Sequence, residues 1–194
     1  MKSASASSAH DHALKLVIAA PPSVDLMALF RDLARLHGGA VLRNYQLGTL
    51  DALRMETIRF SPTLLQQLRI SLHGLVGQRQ YNALQEVLLS NADGILLLMD
   101  MEPSQREASL HTVVQTIRSL QRQGIDLREF PVVFLYHRAE LTTPALLQEW
   151  DQLLELGHNR IPRFCCATEF DNNSLLAMEA LITRALEALR MQAF

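Results

Sequence analysis

The stretch that most constrains this chain is residues 68–100, LRISLHGLVGQRQYNALQEVLLSNADGILLLMD. Its first residues alternate apolar and polar, a period of two that predicts a strand with one buried face. Gly74 and Gly77 end that pattern, and the helical spacing that follows gives an apolar face of Tyr81, Leu84, Val87 and Leu88. The continuous apolar run Ile95–Met99 is typical of a strand buried on both faces of a parallel sheet. The stretch therefore predicts a βαβ unit, and its first loop leaves the carboxyl end of a strand, where open α/β sheets place their sites.

Strands and helices alternate along the rest of the chain. Further strands are predicted at 14–20, 130–136 and 163–167, and one or two more at 40–60, with a loop at Gln46–Leu53. Further helices are predicted at 25–37, 104–123, 144–156 and 173–190, the one at 104–123 beginning with a capping box of Ser104 and Glu107 and the last having an apolar face that includes Leu176. This alternation predicts a three-layer α/β sandwich with a mostly parallel sheet of about six strands flanked by helices.

Domain organisation is simple in this interpretation. Residues 1–13, MKSASASSAHDHA, are small and polar and predict a disordered tail, and residues 14–194 form one domain without internal repeats. The tail lacks the apolar middle region of a signal peptide. His10, Asp11 and His12 could bind a transition metal weakly, but no third or fourth ligand stands at a useful spacing, so no metal site is expected.

Composition narrows the classes of partner. The 194 residues carry a net charge of −2, which argues against nucleic acid and anionic membranes. No apolar run approaches the roughly 20 residues of a membrane span. Cys165 and Cys166 are adjacent and unsuited to a mutual disulfide, which favours a reducing cytoplasm, and buried small residues are favoured over a nucleophile because no activating group is nearby in sequence.

The central unit carries a family resemblance. Gly77-Gln78, then Tyr81-Asn82-Ala83, a helix and Ala92-Asp93-Gly94 resemble the second switch region of the small Ras-like GTPases, and most closely their bacterial MglA-like branch, which reads roughly PGQxxYN here. The resemblance extends over residues 14–190. It implies a Ras-like P-loop fold and raises the question whether the nucleotide-binding motifs are kept.

The segment that resembles the phosphate-binding loop departs from the family motif GxxxxGK[ST]. The degenerate positions are Ala20, Pro21, Pro22, Asp25, Leu26 and Met27. The prolines have no N–H to offer a phosphate, and a leucine and a methionine replace the phosphate-binding lysine and the Mg²⁺-binding hydroxyl. Each lost charge-assisted hydrogen bond is worth about 1.5–3 kcal/mol. A misplaced register is the alternative, but no other GK[ST] occurs in the chain. The apolar residues of this loop, Pro21, Pro22, Val24 and Leu26, are expected to fill part of the vacated pocket.

Other family positions are partly kept. Arg54 aligns with an arginine that MglA-like proteins supply for hydrolysis, and Gln78 matches the glutamine that orients the attacking water. Where the family reads NKxD to bind guanine, this chain has His137, Arg138 and Glu140. Each position also has a plainer interpretation: Arg54 as an exposed arginine, Gln78 as the start of a helix, and Glu140 as part of a solvated loop.

The resemblance therefore implies an inactive, nucleotide-free Ras-like protein that binds no cofactor and acts as a protein-interaction module. Members of the resembled family work with roadblock-type (MglB-like) regulators in bacterial polarity and motility, so a roadblock dimer is the expected partner. The expected partner surface is a loop with the exposed face of the following helix, comprising Leu75, Val76, Gln78, Arg79 and Tyr81, although Tyr81 could instead pack in the core. Two alternatives stay open: a divergent GTPase that uses Arg54 and Gln78, and a fixed subunit of a larger complex.

Overall fold

The structure is a computed structural model that describes residues 12–36, 41–47, 50–61, 66–76, 82–153 and 161–192. Its strands are β1 (His12–Ala20), β2 (Val41–Leu47), β3 (Leu50–Ser61), β4 (Gln66–Val76), β5 (Gly94–Asp100), β6 (Val132–His137) and β7 (Arg163–Cys165). Its helices are α1 (Leu26–Leu36), α2 (Asn82–Leu89), α3 (Arg106–Arg122), α4 (Pro144–Leu153) and α5 (Asn172–Gln192), with 3-10 turns at Pro103–Gln105 and Ala139–Leu141.

The described strands form one sheet in the order β2-β3-β4-β1-β5-β6-β7. Five of them, β4, β1, β5, β6 and β7, run parallel, and β2 and β3 complete the sheet as an antiparallel pair. The predicted α/β class is confirmed, and the arrangement is that of a Ras-like fold. The described sheet has seven strands rather than about six because β2 and β3 form a long antiparallel pair.

The loop expected at Gln46–Leu53 is wrong. Gln46 pairs with Asp51 and Leu47 pairs with Leu50, so most of the expected loop is strand. The segment contains polar residues, and antiparallel strands with one solvated face carry such residues as well as loops do.

Alternate residues of the central strands enter two hydrophobic cores, one on each face of the sheet. The first core packs the strands against α1 and α5, with Leu16 and Ile18 of β1 among its members. The second packs them against α2, α3 and α4, with Val17 and Ala19 of the same strand. Every residue of β5 and β6 is buried, as the continuous apolar runs predict.

The chain enters the sheet earlier than expected. β1 begins at His12, which pairs with Leu68 of β4, so the strand starts two residues before the predicted start at residue 14. The backbone pairing with β4 extends the strand beyond the apolar residues on which the prediction rested. Residues 1–11, including His10 and Asp11, lie outside the described residues.

Two predicted core residues are exposed. Val87 of α2 is 56% exposed and Leu176 of α5 is 52% exposed. In α2 the buried pair is Leu88 and Leu89, and a helix turns about 200° between residues 87 and 89, which directs Val87 outward. The same rotation separates Leu176 from the buried Met178.

Helix boundaries follow local hydrogen bonds. Asp25 caps α1, because its Oδ1 accepts the N–H of Ala28 at 3.0 Å. The capping box predicted at Ser104 and Glu107 is absent: a 3-10 turn starting at Pro103 moves the start of α3 to Arg106, and its N-cap, Gln105, makes no side-chain cap bond. Among the described helices, none is long and apolar enough to cross a membrane.

Candidate functional site

The candidate site lies where the carboxyl ends of β1, β5 and β6 meet. The strand order reverses between β1 and β5, since the chain after β1 builds β4 on one side and β5 on the other. Such a topological switch point is where open α/β sheets form a crevice for ligands. Three segments converge there in this protein: the loop at residues 21–25 after β1, Asp100 at the end of β5, and Arg138 directly after β6.

Asp100 stands at the centre of the site. It is fully buried, and its two carboxylate oxygens accept hydrogen bonds from Ser23, from the Glu102 N–H and from Arg138. Ser23 donates its hydroxyl to Oδ2 at 2.5 Å, and the N–H of Glu102 donates to Oδ1 at 3.1 Å. Its backbone is also fixed, because the Asp100 N–H donates to the Ser109 hydroxyl at 3.0 Å and that hydroxyl donates to the Asp100 carbonyl at 3.1 Å.

Arg138 completes the environment of that carboxylate. Its Nε donates to Oδ1 of Asp100 at 2.8 Å, and its Nη2 donates to Oδ2 of the same group, a two-pronged contact. Its Nη1 lies 3.4 Å from Oε2 of Glu102. The Arg138 side chain is 24% exposed and the Asp100 side chain is fully buried, so the ion pair lies at the boundary between the interior and solvent. We call the set Ser23, Asp100, Glu102 and Arg138 the switch-point network.

The switch-point network is charged at neutral pH. Burial acts to raise the pKa of Asp100, but the hydrogen bonds from Arg138, Ser23 and the Glu102 N–H outweigh it, and the pKa lies below its usual value. The hydrogen bond to Asp100 likewise raises the pKa of Arg138. The pair is therefore a true ion pair rather than a neutral hydrogen-bonded one.

Three of the four apolar residues expected to pack inward from the loop after β1 are buried. Pro21, Val24 and Leu26 are buried, and the last two belong to the first core. Pro22 is exposed, which contradicts the expectation that it helps to fill a pocket. A turn explains the difference, because the Val24 N–H donates to the Pro21 carbonyl at 3.1 Å and places Pro22 at the turn's outer corner.

Several backbone N–H groups of this loop are already used. Besides the turn at Val24, the Leu26 N–H donates to the Val24 carbonyl at 3.0 Å, and the Ala28 N–H donates to the Asp25 carboxylate. Leu26, which the resemblance places at the family's lysine, is only 3% exposed, and Met27, which it places at the hydroxyl, is half-buried.

The segment that resembles the guanine-binding motif is tied to the loop after β7. His137 is buried, its ring contacts the Thr168 carbonyl at 2.9 Å through Nε2, and it stacks on Phe170. Because a carbonyl only accepts, Nε2 carries the proton in this contact. Glu140 is exposed as predicted, but the Thr168 hydroxyl donates to its Oε1 at 2.6 Å and lowers its pKa.

The backbone of Arg54 lies in the middle of β3, between Arg43 of β2 and His73 of β4. β-pairing on both sides fixes the backbone of this segment. The alignment of Arg54 with the family's hydrolytic arginine stays a prediction.

The predicted partner surface is only partly described. Leu75 and Val76 belong to β4 and pair with Ala19 and Ala20 of β1, so the expectation of a loop at these two residues is wrong. Gly74 predicts an end to the strand, but its backbone pairs with strands on both sides, and β4 continues beyond it to Val76. Gln78, Arg79 and Tyr81 lie outside the described residues.

Of the other candidate residues, Trp150 and Cys166 fit the core interpretation. The expectation that Cys165 is buried is wrong, because β7 is the end strand of the described sheet and leaves that side chain exposed. Trp150 is buried as predicted, with Arg106 over its ring. Cys166 is buried, which raises the pKa of its thiol to about 11, whereas Cys165 is exposed. Such a thiol is a poor nucleophile. The part of the chain that the structure describes contains no group of three side chains suited to hold a metal.

Asp100 and Ser23 were not predicted as site residues. A signal was present, since Asp100 follows a buried run and Arg138 follows the neighbouring one, and the carboxyl ends of parallel neighbours meet at one edge. An acid and a base at those two ends are placed to pair.

The chain is related at a distance to a known protein. Over 127 residues it is 28% identical to the mutual gliding-motility protein MglA of Myxococcus xanthus (strain DK1622). The match covers 60% of this chain and 64% of that protein, so the chain spans somewhat less than two thirds of its relative's length. No protein-family model matches the chain. The relationship agrees with the Ras-like sheet described above.

Proposed function

We propose that this chain is a cytoplasmic protein-interaction module of the Ras-like fold that works without a bound nucleotide and catalyses no reaction. Its relationship to a gliding-motility protein suggests a role in bacterial motility or polarity, with a roadblock-fold dimer as partner. The observation that carries the proposal is the switch-point network, in which the chain's own arginine neutralises the buried Asp100 at the place where ligands of this fold class bind.

The residues at this edge do not fit a magnesium nucleotide. A phosphate needs free N–H groups and cations, but the loop after β1 contains two prolines, bonds its N–H groups at Val24 and Leu26 internally, and holds Asp25 at the helix terminus. Among the described residues at this edge, the cation Arg138 is already paired with Asp100. The phosphates of a bound nucleotide would therefore lie beside the Asp25 carboxylate, and Arg138 could bind them only by giving up its contacts with Asp100.

The side of the molecule that carries α2 supports an interaction role. Val87 is an exposed aliphatic residue on α2, the helix that follows the predicted partner loop. Leu176 on α5 is exposed to a similar extent on the opposite face of the sheet. The two residues offer a matched comparison, because an aspartate at either one should cost the fold little.

The first test is a binding measurement between the purified chain and a roadblock-fold dimer from the same organism, in buffer without nucleotide. We expect Val87→Asp to weaken the complex by about 1–3 kcal/mol, the size of a modest hot spot, and Leu176→Asp to leave it unchanged. Addition of Mg-GTP should not alter either affinity. Equal affinities for wild type and Val87→Asp, or binding that requires GTP, would contradict the proposal.

A further inference from the structure

We propose that Arg138 acts as an internal ligand: Asp100 and its neighbours form a guanidinium-binding site at the switch point, and this chain fills that site with its own side chain. The inference rests on the proposed function in one respect, since it describes what takes the place of an external ligand. Its consequence is that a free guanidinium ion can enter the site once the Arg138 side chain is removed.

Contacts that do not involve the arginine position Asp100. Asp100 is held by two bonds between its backbone and the Ser109 hydroxyl, and one donor each from Ser23 and Glu102 already contacts its two oxygens. The remaining acceptor capacity of both oxygens faces Arg138. A planar fork of N–H groups matches such a carboxylate edge, and a single ammonium matches it less well.

A second carboxylate adds selectivity for a cation. Oε2 of Glu102 lies 3.4 Å from Nη1 of Arg138, on the side away from the Asp100 contacts. The guanidinium therefore lies between two carboxylates, and truncation of Arg138 would leave two negative charges facing the same space. An anion such as a phosphate is excluded from that space by the same charges.

The backbone at Arg138 points to a role for its side chain. Arg138 has φ 57° and ψ 41°, the left-handed region that residues with a Cβ rarely adopt. Glycine or asparagine would suit a turn in this conformation better, as asparagine does at residue 91 with φ 56°. An arginine kept in this strained geometry indicates that the direction of its side chain matters.

The internal ligand joins segments that are distant in sequence. Ser23 and Asp100 are 77 residues apart, and Asp100 and Arg138 are 38 apart. In a protein of this fold class that binds a separate ligand, the ligand would connect these loops and would stabilise the domain by mass action. In this chain the connecting guanidinium belongs to the residue directly after β6, so the connection does not depend on the concentration of a ligand.

The test is chemical rescue of the full chain, followed by thermal unfolding. Arg138→Ala removes the guanidinium and keeps the backbone strain, and we expect its Tm to fall by about 6–12 °C, the range for breaking a buried pair in a domain of this size. Guanidinium chloride at about 50 mM should then raise the Tm of Arg138→Ala by about 2–4 °C, as expected for millimolar binding of a small cation. Sodium chloride at the same concentration should not.

Matched variants make the result specific. Arg128→Ala removes an exposed arginine that also forms an ion pair with an aspartate, Asp126, and the Tm of this variant should not rise with guanidinium. Asp100→Ala combined with Arg138→Ala should abolish rescue. If Arg138→Ala is unfolded in sodium chloride, recovery of a cooperative transition on adding guanidinium is the supporting result.

Equal effects of guanidinium and sodium on Arg138→Ala would overturn the inference, and so would an unchanged Tm for that variant. The experiment uses neither nucleotide nor partner. A failed rescue would therefore leave the proposed function standing, whereas nucleotide binding by the wild type would leave the rescue result unaffected.

Discussion

Two arginine–aspartate pairs of this protein have the same chemistry and different surroundings. Arg138 forms an ion pair with Asp100 at the carboxyl edge of the sheet, with side-chain exposures of 24% and 0%. Arg128 forms an ion pair with Asp126 in the connection between α3 and β6, with side-chain exposures of 78% and 45%. The first pair links residues 38 positions apart and the second links residues two apart. Only the buried pair can hold separate segments together, so the difference lies in burial and sequence distance rather than in bond type.

The electrostatics of the two aspartates differ accordingly. The pKa of Asp126 is lowered chiefly by its hydrogen bond from Arg128, with little burial to oppose it. The pKa of Asp100 is lowered although burial pushes it upward, because Arg138, Ser23 and Glu102 all donate to it. Exposed pairs contribute little to stability because water and salt screen them, whereas removal of one member of a buried pair leaves an uncompensated charge.

The largest expected effect is the loss of the buried carboxylate. Asp100→Ala should lower the free energy of unfolding by about 3–5 kcal/mol, since Arg138 and the Ser23 hydroxyl lose their partner. Asp126→Ala should cause no measurable change. Urea unfolding at equal m values measures both, and similar losses in the two variants would remove the distinction between the pairs.

A double-mutant cycle sharpens the same comparison with a smaller effect. Asp100→Ala combined with Arg138→Ala should cost less than the sum of the single changes, with a coupling of about 1–3 kcal/mol, because in the double variant neither member of the Asp100–Arg138 pair is left without the other. Asp126→Ala with Arg128→Ala should show additivity. Additive losses at the buried pair would mean that the two side chains act independently.

The smallest expected effect is the pH dependence. A lowered folded-state pKa means that Asp100 adds stability above its unfolded value, near 3.9, and that this contribution is lost as the pH falls through the lower folded value. The stability gap between wild type and Asp100→Asn should therefore be constant from pH 7 to about pH 5 and should narrow below about pH 4. A gap that widens on acidification would contradict the assigned sign.

The fold could be predicted from the sequence where neighbouring residues alone indicate which side chains are buried. The continuous apolar run Ile95–Met99 predicts a strand buried on both faces, and β5 is buried throughout. Leu75 and Val76 were misassigned because strand pairing on both sides of β4 outweighs a neighbouring glycine, and pairing is not visible in a local pattern. Val87 was misassigned because two adjacent apolar residues, Leu88 and Leu89, shifted the buried face of α2.

The candidate site was harder to predict because its contacts are not local. The resemblance identified the altered loop at Pro21–Met27 and the altered segment at His137–Glu140, but it did not show that these segments meet at Asp100. Sequence spacing gives no information on which rotamer directs Arg138 back over β5. The residues that define the site thus came from the sheet order and the side-chain geometry.

The chain's own ion pair closes the switch point, and we expect this point to receive no nucleotide. Isothermal titration of the wild-type chain with GTP, GDP and ATP in the presence of Mg²⁺ tests it most directly, with an active Ras-like GTPase as positive control. We predict no binding heat beyond dilution for any of the three nucleotides. Saturable binding with a micromolar or lower Kd, about −8 kcal/mol or stronger, would contradict the account.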